Sequence, residues 1–168
     1  RVRVLISGYY GFGNLGDEAL LAGLLGGLRE QGHTPVVLSG DPKATEEQHG
    51  VEAVHRLRGL AVALARADAL VSGGGGLLQD ATSRRSLDYY LNVIRLARRT
   101  GKRVVVYGQS LGPLSEGGRE AVARTLRSLP VAVRDDQSMR LAAELGLKPT
   151  LVADPALLLA NADAEPPP

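Results

Sequence analysis

Residues 2–28 read VRVLISGYYGFGNLGDEALLAGLLGGL, in which a short apolar run, a glycine-rich loop and a leucine-rich segment follow one another. The run at 2–7 is apolar and rich in β-branched residues, which predicts a buried strand. The leucines after the loop have the spacing of one helix face: Leu20, Leu21, Leu24, Leu25 and Leu28. A strand, a loop and a helix in this order are typical of an α/β fold.

The same alternation continues along the chain, apart from a polar stretch after residue 39 with only a weak pattern. Further strands are predicted at 35–39, 51–54, 69–72, 103–107, 131–133 and 150–152. Further helices are predicted at 57–67, 87–101, 116–129 and 137–145. This pattern predicts a Rossmann-like parallel sheet with helices on both faces. Such sheets bind ligands at the carboxyl ends of their strands, so the strand-end loops hold the candidate site residues.

The composition is that of one folded domain, because 44% of the 168 residues are apolar. We assign residues 1–160 to this domain and predict that residues 161–168, NADAEPPP, link it to a missing C-terminal domain. The sequence has no cysteine, which excludes disulfides and thiolate nucleophiles. Its three histidines lack metal-ligand spacing, so we expect no metal and no cofactor. No apolar run is long enough to predict a transmembrane segment.

The charge pattern gives no indication of a nucleic-acid partner. The net charge is +2, and the basic residues are spread over several predicted helices without a basic block. Aromatic residues make up only 4% of the chain. Because nucleic-acid binding needs clustered positive charge and stacking rings, we expect no such partner.

The first strand-end loop carries Gly11, Gly13 and Gly16 in the pattern GxGxxG, which is typical of dinucleotide-binding loops. Three residues separate the strand from Gly11, however, and the carboxylates of Asp17 and Glu18 would repel a pyrophosphate at the helix start. The glycines could also be plain turns, with Asp17 as the helix N-cap. We favour a loop that lines a substrate, in which Asp17 is a catalytic candidate. The binding candidates in this loop are Gly8, Tyr9, Gly11, Asn14 and Gly16.

The second loop contains four consecutive glycines: Gly73, Gly74, Gly75 and Gly76. Backbone amides without side chains can form a nest that binds an anion, which makes all four binding candidates. A flexible loop is the alternative. Asp80, at the rim of this loop, is a second candidate for acid–base catalysis.

The third loop, residues 107–114, follows the most apolar predicted strand of the chain. Gln109, Ser110 and Gly112 are its binding candidates, and a solvated turn is the alternative. Ser110 has no histidine nearby in the sequence and lacks the flanking pattern of a nucleophile elbow.

The fourth loop begins with Arg134, directly after an apolar strand. A guanidinium at that position can clamp a phosphate or a carboxylate through two parallel hydrogen bonds, so Arg134 is a catalytic candidate and Ser138 a binding candidate. Alternatively, Arg134 pairs with Asp135 or Asp136, and Asp135 caps the next helix. In a fifth segment, Asp154 is interpreted as a turn former.

Five segments in this order resemble the polysaccharide pyruvyl transferase family, most closely the type that anchors surface-layer proteins to the cell wall. They are residues 7–19, 72–80, 107–113, 133–138 and 153–158. Each motif is weak alone, but five of them at strand ends, spanning nearly the whole chain, are a fairly specific combination.

The resemblance implies two Rossmann-like domains that face a cleft, as in B-type glycosyltransferases. It implies phosphoenolpyruvate as donor and a lipid-linked polysaccharide acceptor, with N-acetylmannosamine as the acceptor sugar. It also implies a cytoplasmic enzyme, at the inner face of the cytoplasmic membrane, whose pyruvyl ketal anchors surface-layer proteins. Arg134 matches the family's candidate donor ligand. A histidine and further basic groups come from the second domain in this family, so we expect the isolated fragment to be inactive.

Ketal formation requires a proton on the donor methylene, removal of sugar hydroxyl protons and stabilisation of the leaving phosphate. We expect Arg134 and the glycine amides to hold the donor's anionic groups. Asp17 is the candidate for orienting or deprotonating the acceptor, with Asp80 second, and the missing domain would supply the general acid. Two alternatives remain: an NAD-dependent oxidoreductase domain, with Asp41 on the ribose, and a non-catalytic half that binds the acceptor.

Overall fold

The computed structural model describes residues 1–73 and 75–151, without the side chain of Gln109. Within them the chain forms eight strands: β1 (Arg3–Ser7), β2 (Thr34–Ser39), β3 (Glu52–His55), β4 (Ala69–Ser72), β5 (Gly75–Leu78), β6 (Arg103–Leu111), β7 (Val131–Val133) and β8 (Pro149–Leu151). The same residues form six helices: α1 (Leu15–Glu30), α2 (Pro42–His49), α3 (Leu60–Arg66), α4 (Arg84–Arg99), α5 (Glu116–Leu126) and α6 (Asp136–Glu144). The candidate Gly74, the segment 153–158 with Asp154 and the predicted linker 161–168 lie outside the described residues.

The described strands form one sheet, in which all pairs are parallel and the order is β3-β2-β1-β4-β6-β7-β8, with β5 also paired to β6. The predicted parallel α/β fold is therefore confirmed. The winding reverses at β1, since β2 and β3 lie on one side of it and the later strands on the other. The loops that follow β1 and β4 consequently open side by side at the switch point, where such sheets bind ligands.

Apolar side chains project from both faces of the sheet, and helices cover each face. Leu21, Leu25 and Leu28 of α1 pack on one face against Ile6. The other face is covered by α4 and neighbouring helices. Fully burying one such leucine contributes about 1.5–3 kcal/mol, so these two layers hold the strand ends in place. Leu20, predicted on the buried side of α1, is 39% exposed instead.

Helix α2 forms in the polar stretch for which no element was predicted. Asp41 caps it by accepting a hydrogen bond from the Ala44 N–H at 3.2 Å, and Pro42 begins it. Only Thr45 is buried among its eight residues, so it lacks the apolar period that reveals a helix.

The predicted second and third loops are largely paired strand. Gly75 pairs with Gln109 and Leu78 with Leu111, so Gly75 and Gly76 lie in β5, and Gln109 and Ser110 lie in β6. The expectation of loops at these positions was wrong. Glycine has low strand propensity, and only the neighbouring strand reveals the pairing.

Candidate functional site

Helix α1 begins at the switch point, and the residue that caps it is Asn14, so the Asp17 side chain is not used as the cap. Asn14 is the N-cap, because its side-chain oxygen accepts a hydrogen bond from the Asp17 N–H at 3.1 Å. The alternative in which Asp17 caps the helix is therefore wrong. The Asp17 carboxylate lies against β5: a Cβ added to Gly75 would come within 2.6 Å of its Oδ1. Gly75 also has a φ of +95°, a conformation that favours glycine.

The environment of Asp17 makes it a stronger base than an ordinary carboxylate. Burial is the main cause that raises its pKa, and the neighbouring charge of Glu18 adds to the effect. Arg134 opposes both by lowering the pKa of Asp17. The two predicted catalytic candidates, far apart in the sequence, thus lie at the same edge of the sheet.

The side chain of Glu18 holds the first loop in place from its buried side. Its side chain is buried, and its Oε1 accepts a hydrogen bond from the Gly11 N–H at 2.9 Å. Its Oε2 lies 2.7 Å from Nε2 of His49, which is also buried. Sequence reasoning missed this contact because His49 lies in α2, the helix that the hydrophobic pattern did not reveal.

Arg134 is oriented by a short chain of hydrogen bonds. Its Nε donates to Ser110 Oγ at 2.8 Å, and this hydroxyl donates to Asp135 Oδ2 at 3.0 Å. Asp135 also caps α6, accepting from the Ser138 N–H at 2.7 Å. Hydrogen bonding to Ser138 is the main cause that lowers the pKa of Asp135. The hydrogen bond from Ser110 and the positive charge of Arg134 lower it further, so the carboxylate stays charged. Among the described residues the two terminal nitrogens of Arg134 have no hydrogen-bond partner, and the side chain is exposed.

Tyr10 lies beneath the glycines of the first two loops. A Cβ on Gly73 would meet the Tyr10 hydroxyl at 2.5 Å, and Gly8 lies directly against the same ring. The hydroxyls of Tyr10 and Ser7 are buried and have no hydrogen-bond partner in the described part of the chain. Burial and the charge of Asp17 raise the pKa of Tyr10, so its hydroxyl stays protonated. The glycines at 8 and 73 therefore make room for a ring, in addition to any role in binding.

Asp80 contacts the start of α5. Its carboxylate accepts hydrogen bonds from the Ser115 N–H, at 2.8 Å, and from the Ser115 hydroxyl. These bonds lower the pKa of Asp80, the side-chain bond most. A carboxylate with low proton affinity is a weak base, so the geometry favours Asp17 over Asp80.

The surroundings of three other predicted binding residues are structural. The buried Ser138 hydroxyl accepts a hydrogen bond from the Leu111 N–H at 2.9 Å. Gly112, with a φ of +76°, has no room for a Cβ beside Leu141. Gly16 lies within α1. Their roles in substrate binding stay predictions.

A concave surface lies at the opposite end of the sheet. Helices in βα units run back along their strands, so α4 and α5 end near the amino ends of the strands. A cavity of about 610 Å³ lies between these helix ends. Five arginines line it: Arg95, Arg98, Arg99, Arg124 and Arg127. The arginines that look scattered in the sequence thus converge in the fold.

No group of three or more His, Cys, Asp or Glu residues suited to a metal ion occurs in residues 1–73 and 75–151. In that part of the chain no helix combines the length and the apolarity required to cross a membrane.

The family model described as polysaccharide pyruvyl transferase matches residues 14–168. No curated protein matches the chain. Among solved structures, the chain is similar to a ribokinase-like superfamily protein from Enterococcus faecalis V583, with 14% identity and a TM-score of 0.46. That match covers 90% of this chain and 57% of the other, so the chain spans little more than half of that protein.

Proposed function

Because the chain belongs to the polysaccharide pyruvyl transferase family, we propose that its switch-point edge binds phosphoenolpyruvate and an acceptor sugar for pyruvyl transfer. The observation that carries this proposal is the position of Asp17 and Arg134 at one edge of the sheet. The Asp17 carboxylate lies against Gly75 of β5, β5 pairs with β6, and Ser110 of β6 accepts the hydrogen bond that holds the Arg134 guanidinium. The transfer needs a base for the sugar and a cation for the donor.

The donor side is Arg134. Its terminal nitrogens suit a carboxylate or phosphate of phosphoenolpyruvate, and Ser110 holds the guanidinium in place. A positive group placed in advance at a developing anion contributes about 3–4 kcal/mol to the transition state. Ser110 and Asp135 are positioning residues in this proposal, since they act through Arg134.

The acceptor side is Asp17, which accepts a proton from a sugar hydroxyl. In the reaction the donor methylene gains a proton and becomes a methyl group. The carbon that carried the phosphate forms two bonds to sugar oxygens, and its bond to the phosphate oxygen breaks. The two hydroxyls lose two protons, one of which balances the methyl group while the other leaves with the phosphate.

The finer assignments extend this proposal. We propose a lipid-linked precursor with N-acetylmannosamine as the acceptor, and a ketal that anchors surface-layer proteins. Work at the inner face of the cytoplasmic membrane follows from such an acceptor. In this proposal the general acid comes from a further domain of the full-length enzyme. The segments at 7–19, 107–113 and 133–138 support these assignments through their resemblance to that type of transferase.

The proposal is tested by calorimetric titration of the protein with phosphoenolpyruvate. We expect Arg134→Ala to abolish binding, whereas Arg66→Ala removes the same charge at an exposed helix end away from the site and should leave it intact. Equal binding by wild type and Arg134→Ala would exclude Arg134 as the donor ligand. Absence of binding in the folded wild type would exclude a donor site in this chain.

The acceptor side has its own control. Asp17→Asn should retain phosphoenolpyruvate binding, because Arg134 and its hydrogen-bond chain stay in place. In the full-length enzyme it should lower pyruvyl transfer by about 10²–10⁴-fold, the usual contribution of a placed acid–base group. Unchanged transfer by Asp17→Asn would remove Asp17 from catalysis.

A further inference from the structure

An exposed aromatic pair lies beside the candidate site. The rings of Tyr9 and Phe12 stack with centroids 4.4 Å apart and planes 12° from parallel. They are 37% and 44% exposed, although folded proteins usually bury most of the surface of large rings. Two stacked rings left in solvent at a strand-end loop are typical of a surface that binds a ligand.

The pair is the outer end of a longer stack. The Arg56 guanidinium lies 5.5 Å from the Phe12 centroid and 4.1 Å from that of Tyr89. The Tyr89 hydroxyl donates to the Arg56 carbonyl at 2.9 Å, which anchors the stack on α4. Phe12 also lies against Gly40, where a Cβ would meet its Cζ at 2.5 Å. The rings are thus ordered before any ligand arrives, which lowers the entropic cost of binding.

The stack and the candidate base share one loop. Tyr9 and Phe12 precede α1, whose first turn carries Asp17, and the Glu18 bond to Gly11 fixes the loop between them. On the inner side of the stack, Tyr89 packs edge-on against the buried Tyr90, with ring centroids 5.0 Å apart.

Ring faces and carboxylates together match the chemistry of a sugar. A pyranose has an apolar face of C–H groups that packs on an aromatic ring, and hydroxyls at its edge that donate to a carboxylate. A nucleotide base would also stack on Tyr9. Its phosphates, however, would meet the negative charge of Asp17 at the start of α1.

We infer that the Tyr9–Phe12 stack is the acceptor subsite, where a pyranose ring packs on Tyr9 and presents a hydroxyl to Asp17. This inference rests on the proposed function for the identity of the sugar. It makes Tyr9 and Phe12 specificity-determining residues, and Arg56 and Tyr89 positioning residues.

The test is saturation-transfer NMR with the methyl glycoside of N-acetylmannosamine as probe. We expect the ring C–H protons of the probe to receive most of the saturation. Tyr9→Ala and Tyr9→Leu should weaken binding about 2–12-fold, because both remove the ring on which the sugar stacks. Tyr9→Phe should retain binding, because the ring face rather than the hydroxyl makes the contact. Leu96→Ala, which changes a side chain of equal exposure on α4, is the control.

Parallel titrations with phosphoenolpyruvate separate this inference from the proposed function. Tyr9-dependent glycoside binding in a protein that does not bind phosphoenolpyruvate would support the subsite while the proposed function fails. Glycoside binding that is equal in wild type, Tyr9→Ala and Tyr9→Leu would overturn the subsite, and so would a wild type that does not bind the glycoside. Saturation transfer to adenosine monophosphate, without transfer to the glycoside, would overturn the sugar subsite and indicate a nucleotide site instead.

Discussion

Substitution of Gly75 by alanine tests whether Asp17 must approach the backbone of β5. The new Cβ would stand 2.6 Å from Asp17 Oδ1, about 0.8 Å short of ordinary contact at 3.4 Å. The carboxylate must therefore move, and a displacement near 1 Å at a reacting group costs about 10²-fold in rate. The φ of +95° adds strain for any residue with a Cβ, about 1–2 kcal/mol.

The assay is phosphate release from phosphoenolpyruvate by the full-length enzyme in the presence of acceptor, together with thermal unfolding of this domain. Gly75→Ala should lower kcat/KM by about 10–100-fold and the Tm by about 2–8 °C. Donor binding should be unchanged, because Ser110 and Asp135 hold Arg134 independently. Gly76→Ala is the matched control, since an added Cβ there meets no atom within 4 Å. Equal losses of activity in both variants would refute the reasoning.

Three further predictions concern the surroundings of Asp17 and Arg134. Burial raises the pKa of Asp17 above 3.8, so the ionised carboxylate destabilises the folded state. Asp17→Asn should therefore raise the free energy of unfolding at pH 7, and denaturant titrations should show this difference vanish below about pH 4, where the carboxylate is protonated in both states. A variant that is less stable than wild type at pH 7 would contradict this sign. Ser110→Ala removes the hydroxyl that orients Arg134 and should weaken phosphoenolpyruvate binding about 3–10-fold by calorimetry, whereas unchanged affinity would show that the guanidinium needs no such support. Tyr10→Phe removes a buried hydroxyl without a partner in the described residues and should raise the free energy of unfolding by about 1 kcal/mol, whereas a decrease would reveal a hidden partner.

The periodic elements of the fold were predictable because the signals are local. Strand β6 carries three consecutive buried valines at residues 104–106, and α4 repeats its apolar residues at helical spacing. Helix α2 was missed because only Thr45 faces the core. Strand β5 was missed because its glycines have no strand signal, and its pairing with β6 depends on residues more than thirty positions away.

The sequence by itself determined the alternation of strands and helices, and it placed Asp17 and Arg134 at strand ends. Only the tertiary structure decided which strand ends are neighbours. It set Asp17 against Gly75, joined Glu18 to His49 and gathered scattered arginines around one cavity. Side-chain periodicity reports whether a residue faces the core, because that depends on the residues next to it in the chain. The meeting of two loops depends on the strand order, which the packing of the whole sheet decides.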